Sequence, residues 1–138
     1  MKTFIGFIVF LVCGFNLFAS DPTWKWARQV GGNGYDQAIC VAATPENVYW
    51  SGVFSDSAAF GNSILVPKSD DAFLCNNTPT GVFNWVLQCG GIGSQIINKI
   101  DIIDFNKTII VGSFSESLNV GDYNFISNGK QDGFISKI

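Results

Sequence analysis

The side chains best suited to acid–base chemistry in this chain are its carboxylates, because its 138 residues include no histidine. The commonest general base and the usual Ser–His and Cys–His nucleophile pairs are therefore absent. Two facing carboxylates could still hydrolyse a glycoside. Asp70 and Asp71 are adjacent, however, and Asp101 and Asp104 are three apart on a predicted strand, so each pair should point to opposite faces. The sequence favours a protein that is not an enzyme, and a hydrolase using acidic residues is the least favoured alternative.

Glycine-rich turns are the next candidates for ligand chemistry. Residues 31–36 read Gly-Gly-Asn-Gly-Tyr-Asp, half of a calcium-binding nonapeptide, but such sites need closely spaced tandem copies that this chain lacks. The Gly-x-Gly turns that begin at Gly32 and Gly91 lack the third glycine and the following helix of a dinucleotide-binding loop. The cysteine spacings match no zinc site. We therefore predict neither a metal nor a cofactor.

Tryptophan side chains are the remaining candidates for ligand binding. Trp24 and Trp50 are not repeated in the second half of the chain, where Phe83 and Ile110 stand at the corresponding positions. An unrepeated aromatic ring could stack on a sugar ring or anchor a protein partner. The alternative is that both rings simply pack between structural units.

The N-terminus has the pattern of a secretory signal peptide, which we assign to residues 1–20. Lys2 supplies the positive charge, residues 4–15 are almost wholly apolar, and Ala19 and Ser20 are small residues near a cleavage site. The apolar run is shorter than the roughly 20 residues of a membrane-spanning helix, so we predict no stable membrane span. Residues 21–138 would then be secreted, extracellular or at the cell surface.

The composition of residues 21–138 excludes one class of partner. They carry 7 basic and 11 acidic side chains, a net charge of −4, with no basic run. Because nucleic-acid affinity rests on clustered Lys and Arg, we predict no nucleic-acid partner. Three cysteines remain, and their odd number leaves at least one without an intramolecular bridge. Two interpretations stay open: small buried thiols on strands, or a single bridge, either Cys40–Cys89 or Cys75–Cys89.

An internal repeat organises residues 21–138. The offset between matched positions grows from 59 to 61 residues, as single-residue loop insertions would produce. A repeat of this length indicates equivalent structural units that stack on one another. We place the two copies at about 26–84 and 85–138, within one domain covering 21–138. The matched pairs are Trp26 and Trp85, Gly52 and Gly112, Phe54 and Phe114, and Asp71 and Asp132.

Each matched pair has a structural interpretation. The repeated glycines let neighbouring backbone approach or the strand bend. The repeated phenylalanines fill the space between units, and the tryptophans that open the copies are expected to be large core anchors. The repeated aspartates precede the last strand of each copy, where a carboxylate can pin a turn by accepting backbone N–H groups.

The local patterns predict an all-β fold. Short β-rich runs alternate with turns rich in Gly, Asn, Asp and Ser, and no long window shows a helical period. With the long repeat, this predicts two β-propeller-like blades, each a four-stranded antiparallel sheet. Since propellers close with about 4–8 blades, two are incomplete as a monomer. Residues 24–30 correspond to Phe83–Cys89, so an N-terminal strand could complete the second sheet.

These residues also carry a resemblance to a known family. The succession Trp, Gly-x-x-Gly, Val-Tyr-x-x-Gly-x-Phe, Phe-Gly, Asp-x-Phe, Gly and Trp is similar to the SBBP-type beta-propeller repeat family of secreted bacterial surface proteins. The second copy departs where Gln95 replaces Asp36 and Ile109 replaces Tyr49. The resemblance covers nearly all of residues 21–138. It implies a secreted or cell-surface, non-enzymatic repeat module for protein or ligand interaction, usually within a longer protein.

An alternative function is an oligomeric carbohydrate-binding lectin. Two blades leave faces exposed, so several chains could share one propeller ring as a homo-oligomer, three of them for a ring of six blades. Some bacterial and fungal sugar-binding lectins are built in this way. A defined oligomer that binds glycans would favour the lectin over the repeat module.

Overall fold

The structure is a computed structural model that describes residues 21–104 and 107–138. The predicted signal peptide, residues 1–20, lies outside the described residues. In the described part of the chain every regular element is a β-strand, so the prediction of an all-β fold is confirmed. No helix long and apolar enough to span a membrane is found in these two ranges.

Twelve strands form within the described ranges, and their pairings are all antiparallel. They are β1 (Gly31–Gly32), β2 (Asp36–Ala43), β3 (Val48–Phe54), β4 (Ala58–Phe60), β5 (Ser63–Leu65), β6 (Asp71–Asn77), β7 (Phe83–Cys89), β8 (Gln95–Asp104), β9 (Lys107–Phe114), β10 (Ser117–Val120), β11 (Tyr123–Ile126) and β12 (Asp132–Lys137).

Two sheets share one connectivity. Sheet 1 has the strand order β2-β3-β6-β7, and sheet 2 has the order β8-β9-β12. In each, the chain leaves the sheet after its second strand and forms a hairpin, β4-β5 in the first case and β10-β11 in the second. Both sheets also carry a bulge in the first strand, at Ala38–Cys40 and at Ile97–Lys99. The repeat in the sequence is therefore a repeat of strand connectivity.

Sheet 2 differs from the predicted four-stranded form, because it has three strands within the described residues. Residues 24–30, expected as its fourth strand, form no strand. Side-chain hydrogen bonds hold this segment on sheet 1 instead: Trp26 Nε1 donates to the Pro79 carbonyl over 2.8 Å and Arg28 Nε to the Gly81 carbonyl over 2.5 Å. The edge of β12 consequently has no neighbouring strand in the described chain.

The largest apolar core lies between the two sheets. We call the face of each sheet that carries the repeated glycine its front face, and the opposite face its back face. The front face of sheet 2, with Ile97, Ile110 and Phe114, packs on the back face of sheet 1, with Tyr49 and Leu74. Burying one such side chain contributes about 1.5–3 kcal/mol, so this contact holds the sheets together.

A second, smaller core covers the front face of sheet 1. Phe54, Phe73 and Cys75 of the sheet pack under Ala58 and Phe60 of the β4-β5 hairpin. The Phe60 and Phe73 rings meet edge to face with their centroids 4.8 Å apart, the geometry that aromatic pairs favour. The hairpin covers only part of this face, so its remaining apolar surface is open.

Candidate functional site

An open groove of about 760 Å³ at one end of sheet 1 combines aromatic and amide side chains. We call it the amide groove. A lining that mixes apolar and aromatic side chains with a few polar groups is typical of small-ligand sites. The groove is lined by Glu46, Asn47, Tyr49, Asn76, Asn84, Trp85, Leu87 and Ile138.

Strand register positions the groove residues. Tyr49 of β3 lies opposite Asn76 of β6, and Asn76 lies opposite Trp85 of β7, so the three side chains form one row on the back face. The ladder between β6 and β7 shifts register at Asn76–Asn77 and leaves Asn84 as an extra residue. Because a bulge re-aims side chains, Asn84 joins this row instead of alternating away from it.

Hydrogen bonds fix the amides in a chain. Asn84 Nδ2 donates to Asn76 Oδ1 over 2.6 Å, and Asn76 Nδ2 donates to Asn47 Oδ1 over 3.2 Å. Asn76 and Asn47 are buried, whereas Asn84 is exposed. Asn84 therefore presents the solvent end of a pre-oriented amide chain.

The groove has an aromatic wall. The rings of Tyr49 and Trp85 lie with their centroids 6.0 Å apart and are tilted by 57°. Burial raises the pKa of the Tyr49 hydroxyl above its ordinary value, so this phenol stays neutral at physiological pH. Paired aromatic rings beside fixed amides can bind a ligand with both apolar and hydroxyl surfaces.

The two tryptophans predicted to bind ligand lie in different surroundings. Trp24 is 97% exposed. Trp50 is half-buried on the front face of sheet 1, where its Nε1 donates to Asn77 Oδ1 over 2.7 Å and its ring meets Phe73 edge to face at 5.2 Å. Trp50 lines an apolar recess of about 360 Å³ together with Trp26 and Val41, and Trp24 is not part of that lining.

The tryptophans that open the two copies are not equivalent in burial. Trp26 lies at the surface beside Gly81, whereas Trp85 is half-buried in β7 against Tyr49. Trp26 is thus not the core anchor that the sequence suggested, because residues 24–30 occupy no sheet position. Trp85 belongs to the outer strand of sheet 1, so the boundary between the two sheets falls after Cys89.

The repeated aspartates also differ. Asp71 is buried, and its carboxylate accepts from Gln88 Nε2 over 2.5 Å and from the Gly91 amide over 3.4 Å. Asp132 is only half-buried and accepts from the Asn128 amide over 3.0 Å. Asp71 therefore joins the outer strand of sheet 1 to the segment that leads into sheet 2, whereas Asp132 pins a local turn.

The repeated glycines have matching surroundings in the two sheets, whereas the repeated phenylalanines lie in different cores: Phe114 lies between the two sheets, and Phe54 lies under the β4-β5 hairpin. A Cβ on Gly52 would overlap the Gln37 carbonyl oxygen and lie 2.6 Å from the Phe73 ring. A Cβ on Gly112 would overlap the Ile96 carbonyl oxygen and lie 2.6 Å from the Phe134 ring. Each glycine thus lies under an aromatic ring at a close backbone approach. The repeated phenylalanines, Phe54 and Phe114, are both buried.

The carboxylates considered for catalysis are separated. Asp70 is exposed and Asp71 is buried, so the adjacent pair diverges. Asp104 lies 3.4 Å from Lys107 in an exposed ion pair. Within residues 21–104 and 107–138 no group of three or more His, Cys, Asp or Glu side chains is arranged to hold a metal ion. Asp36, in the calcium-like turn, accepts from the Gly32 amide over 2.9 Å.

All three cysteines of the described residues are free thiols, so neither bridge considered from the sequence forms. Cys75 and Cys89 are buried, and Cys40 is half-buried with its Sγ 3.0 Å from Ser51 Oγ. Burial raises the pKa of the Cys75 thiol to about 12. Burial, together with the Asp71 carboxylate, raises that of Cys89 to about 12 as well.

These raised pKa values predict a loss of stability in alkali. In the unfolded chain both thiols ionise near pH 9, while in the folded chain they stay protonated up to about pH 12, so the unfolded state binds fewer protons between these limits. The free energy of unfolding should therefore fall above pH 9, by about 1.4 kcal/mol per pH unit for each thiol. Urea unfolding at pH 8, 9 and 10 measures this slope. Cys89→Ala should make it shallower, and an equal slope in both proteins would contradict the prediction.

Sequence reasoning missed the amide groove. Asn47, Asn76 and Asn84 belong to no chemical motif, and their convergence depends on strand register and on the bulge at Asn84. One signal was present: Tyr49 departs from the repeat, since Ile109 stands at its counterpart. A repeat position that carries an aliphatic residue in one copy and a tyrosine in the other is therefore a candidate position for a ligand-binding site.

Comparisons with known protein families, with curated proteins and with solved structures found no match. The function of this chain is therefore inferred from its own residues and geometry.

Proposed function

We propose that the protein is a secreted or cell-surface, non-enzymatic repeat module of the β-propeller type that binds a protein or other ligand. The observation that carries this proposal is the amide groove, whose lining is aromatic and amide in character. Amide side chains and tryptophan rings bind ligands but carry no proton to transfer, so among the residues that line this groove only Tyr49 and Glu46 could act as an acid or base.

The positions of the carboxylates support binding over catalysis. Asp71 accepts hydrogen bonds from Gln88 and Gly91, and Asp104 forms an ion pair with Lys107. A glycosidase needs two carboxyl groups facing one bond, at separations of about 5–10 Å across a cleft. Among the side chains that line the groove Glu46 carries the one carboxyl group, so the lining lacks the facing pair that a glycosidase uses.

The matched surroundings of Gly52 and Gly112 support the repeat-module part of the proposal. In each sheet the glycine lies under a phenylalanine ring and against a carbonyl of the first strand. Stacked equivalent sheets are the building principle of repeat architectures, which typically present binding surfaces.

A glycan is the second candidate ligand, and the groove favours it specifically. A sugar ring has an apolar face of C–H groups and a rim of hydroxyls. The Trp85 ring can stack on such a face. The exposed amide of Asn84, held by Asn76, can exchange hydrogen bonds with the hydroxyl rim. This candidate makes the protein a carbohydrate-binding lectin.

Glycan-array binding by the purified chain tests the lectin candidate. We expect binding that Asn84→Ala weakens about tenfold, since one hydrogen bond to a ligand is worth roughly 1–1.5 kcal/mol. Asn124→Ala, which removes another exposed amide, from β11, is the matched control and should leave binding unchanged. Trp24→Ala distinguishes a site at Trp24 from a site in the amide groove, because Trp24 does not line the groove.

The outcomes discriminate between the hypotheses. Loss of binding in Trp24→Ala, with Asn84→Ala unaffected, would move the ligand site to Trp24. Silence on the array would leave a protein ligand as the proposal. Hydrolysis of a glycoside or an ester that one Asp→Asn replacement abolishes would overturn the non-enzymatic assignment.

A further inference from the structure

A second cavity, of about 660 Å³, lies beside the outer strand of sheet 1. We call it the arginine cavity. Its lining consists of residues 27–29, residues 59–63 of the β4-β5 hairpin and residues 81–86 around the start of β7. Because this hairpin covers the front face of sheet 1, the cavity opens on the front side, whereas the amide groove lies on the back face. Its volume is typical of cavities that bind small ligands, about 300–1,000 Å³.

Two glycines with positive φ angles fix the walls of the arginine cavity. Gly61, in the hairpin turn, has a φ of 62°, and a Cβ on it would lie 3.1 Å from the Phe83 ring. Gly81 has a φ of 82°, and a Cβ on it would lie 2.7 Å from the Trp26 ring. These backbone conformations favour glycine, which also lets both turns lie against an aromatic ring. The walls are therefore held by packing within the chain itself, so the cavity is preformed.

Arg28 gives the arginine cavity a positive charge. It is the one charged side chain among the lining residues, and its Nε is held by the Gly81 carbonyl. Within the part of the chain that the structure describes, no carboxylate lies within ion-pair distance of Arg28. The two terminal nitrogens of a guanidinium form a planar fork that matches the two oxygens of a carboxylate. The cavity is therefore suited to a ligand that carries a carboxylate.

The arginine cavity and the amide groove adjoin each other. Asn84 and Trp85 line both of them. Both residues belong to β7, the last strand in the order of sheet 1, so the two cavities meet across the outer edge of this strand. A ligand that passes over Asn84 reaches both cavities. Such a ligand has to be longer than one sugar unit, because the two cavities lie on opposite sides of the sheet.

The charges of the two cavities differ in sign. Among the described residues that line the amide groove, Glu46 carries the one charged side chain. Among those that line the arginine cavity, the one charged side chain is that of Arg28. Because like charges repel and opposite charges attract, a carboxylate is favoured beside Arg28 and disfavoured beside Glu46. The two cavities together therefore set the direction in which an acidic ligand binds.

We propose that the protein binds an acidic oligosaccharide that spans both cavities, with a uronic-acid carboxylate on the Arg28 guanidinium and a neutral sugar unit in the amide groove. This inference rests on the lectin candidate put forward above, and it adds the class of glycan and its direction. The carboxylate and the guanidinium pair through two parallel hydrogen bonds, a geometry that gives both affinity and specificity. The neutral unit stacks on Trp85, and the Asn84 amide bonds to hydroxyl groups between the two cavities.

A panel of uronic-acid oligosaccharides, each paired with its carboxyl-reduced form, tests the proposal on the full chain. Reduction replaces the carboxylate by a hydroxymethyl group and leaves the rest of the sugar unchanged. By isothermal titration calorimetry we expect the acidic form to bind at least about tenfold more tightly, since hydrogen bonds to a charged group are strong. A trisaccharide should also bind at least about tenfold more tightly than the uronic-acid monosaccharide, because the longer ligand adds hydrogen bonds in the amide groove.

Charge variants locate the carboxylate. Arg28→Gln should weaken binding of the acidic trisaccharide at least about tenfold and leave binding of its carboxyl-reduced form nearly unchanged. Lys25→Gln is the matched control, since it removes the same charge from an exposed residue that lines neither cavity. Asn62→Asp adds a carboxylate to the lining without touching the hydrogen bond between Arg28 and Gly81, and it should weaken binding of the acidic form alone. The counterpart of Asn62 in the other hairpin is Asp122, so an aspartate suits this turn.

The outcomes separate this inference from the lectin candidate. Equal affinity for the acidic and the carboxyl-reduced forms would overturn the inference and leave a lectin that binds neutral glycans. A preference for the acidic form that survives both Arg28→Gln and Asn62→Asp would also overturn it, since the carboxylate would then lie elsewhere. Binding of an acidic peptide and of no oligosaccharide in the panel would overturn it as well, whereas the lectin candidate falls only if the whole glycan array is silent. Binding of the carboxyl-reduced trisaccharide by both variants shows that they are folded.

Discussion

Replacing Gly112 with alanine should lower the free energy of unfolding by about 3 kcal/mol, the upper end of the range for overpacked cores. The added Cβ would overlap the Ile96 carbonyl oxygen and lie 2.6 Å from the Phe134 ring. The carbonyl belongs to a paired strand and cannot move without disrupting the ladder. Gly52→Ala should cost about as much, because its surroundings in sheet 1 are the same. Urea unfolding at one fixed protein concentration measures both values.

Two other glycines supply controls for this prediction. A Cβ on Gly133 meets only the Gly112 carbonyl, at 3.7 Å, which is an ordinary contact, and a Cβ on Gly129 meets nothing within 4 Å. Gly133→Ala and Gly129→Ala should therefore change the free energy of unfolding by less than about 1 kcal/mol. A Gly112→Ala protein as stable as these two variants would show that the close approach beneath Phe134 is not a constraint on the fold.

Replacing Asp71 with alanine should lower the free energy of unfolding by about 2–4 kcal/mol. The change leaves the Gly91 amide without its acceptor at a buried site, and it takes the charged acceptor from Gln88 Nε2, which keeps its second acceptor, the Val66 carbonyl, at 3.0 Å. An unpaired buried group costs roughly 1–3 kcal/mol, and a hydrogen bond to a charged group contributes about 1.5–3 kcal/mol. Asp132→Ala is the matched control, since this half-buried carboxylate accepts the Asn128 amide in a local turn. We expect about 1 kcal/mol for that variant, measured in the same unfolding experiment.

The thiol of Cys89 gives a second readout of Asp71, to be compared with the measured stability because Cys89 is buried. The Asp71 carboxylate contributes to the raised pKa of this thiol, so Asp71→Asn should lower the pKa of Cys89 and increase its thiolate fraction. Alkylation of Cys89 in the folded protein should then become faster at a given pH, because the thiolate is the nucleophile. An unchanged alkylation rate, together with unchanged stability, would show that the Asp71 carboxylate neither raises the pKa of Cys89 nor stabilises the fold.

Sequence patterns predicted the strands well because their signals are local. Alternating apolar residues and the turns rich in glycine and asparagine mark β2, β3, β8 and β9. Gly52 and Gly112 were singled out from spacing alone. The partners that restrict them, Phe73 and Phe134, could not be named from spacing because they come from a neighbouring strand.

The candidate site was harder to predict. Asn76 and Asn84 lie eight residues apart on two strands, and only the bulge in β7 brings their amides within 2.6 Å. Trp24 is a candidate from sequence because it is not repeated, and the structure leaves its ring almost wholly exposed. Unrepeated residues mark departures from a structural repeat, but which of them converge depends on register.

The sequence by itself determined an all-β chain with two equivalent units, because strand period, turn residues and repeat spacing are properties of neighbouring residues. Only the tertiary structure decided that, within the described residues, sheet 1 has four strands and sheet 2 has three, since residues 24–30 lie on the loop at Pro79 and Gly81 through two side-chain hydrogen bonds. The tertiary structure also decided which equivalent residues are buried: Leu74 is covered by sheet 2, whereas Ile135 is 70% exposed. Burial depends on what packs against a face, and that is not encoded in the repeat that produces the face.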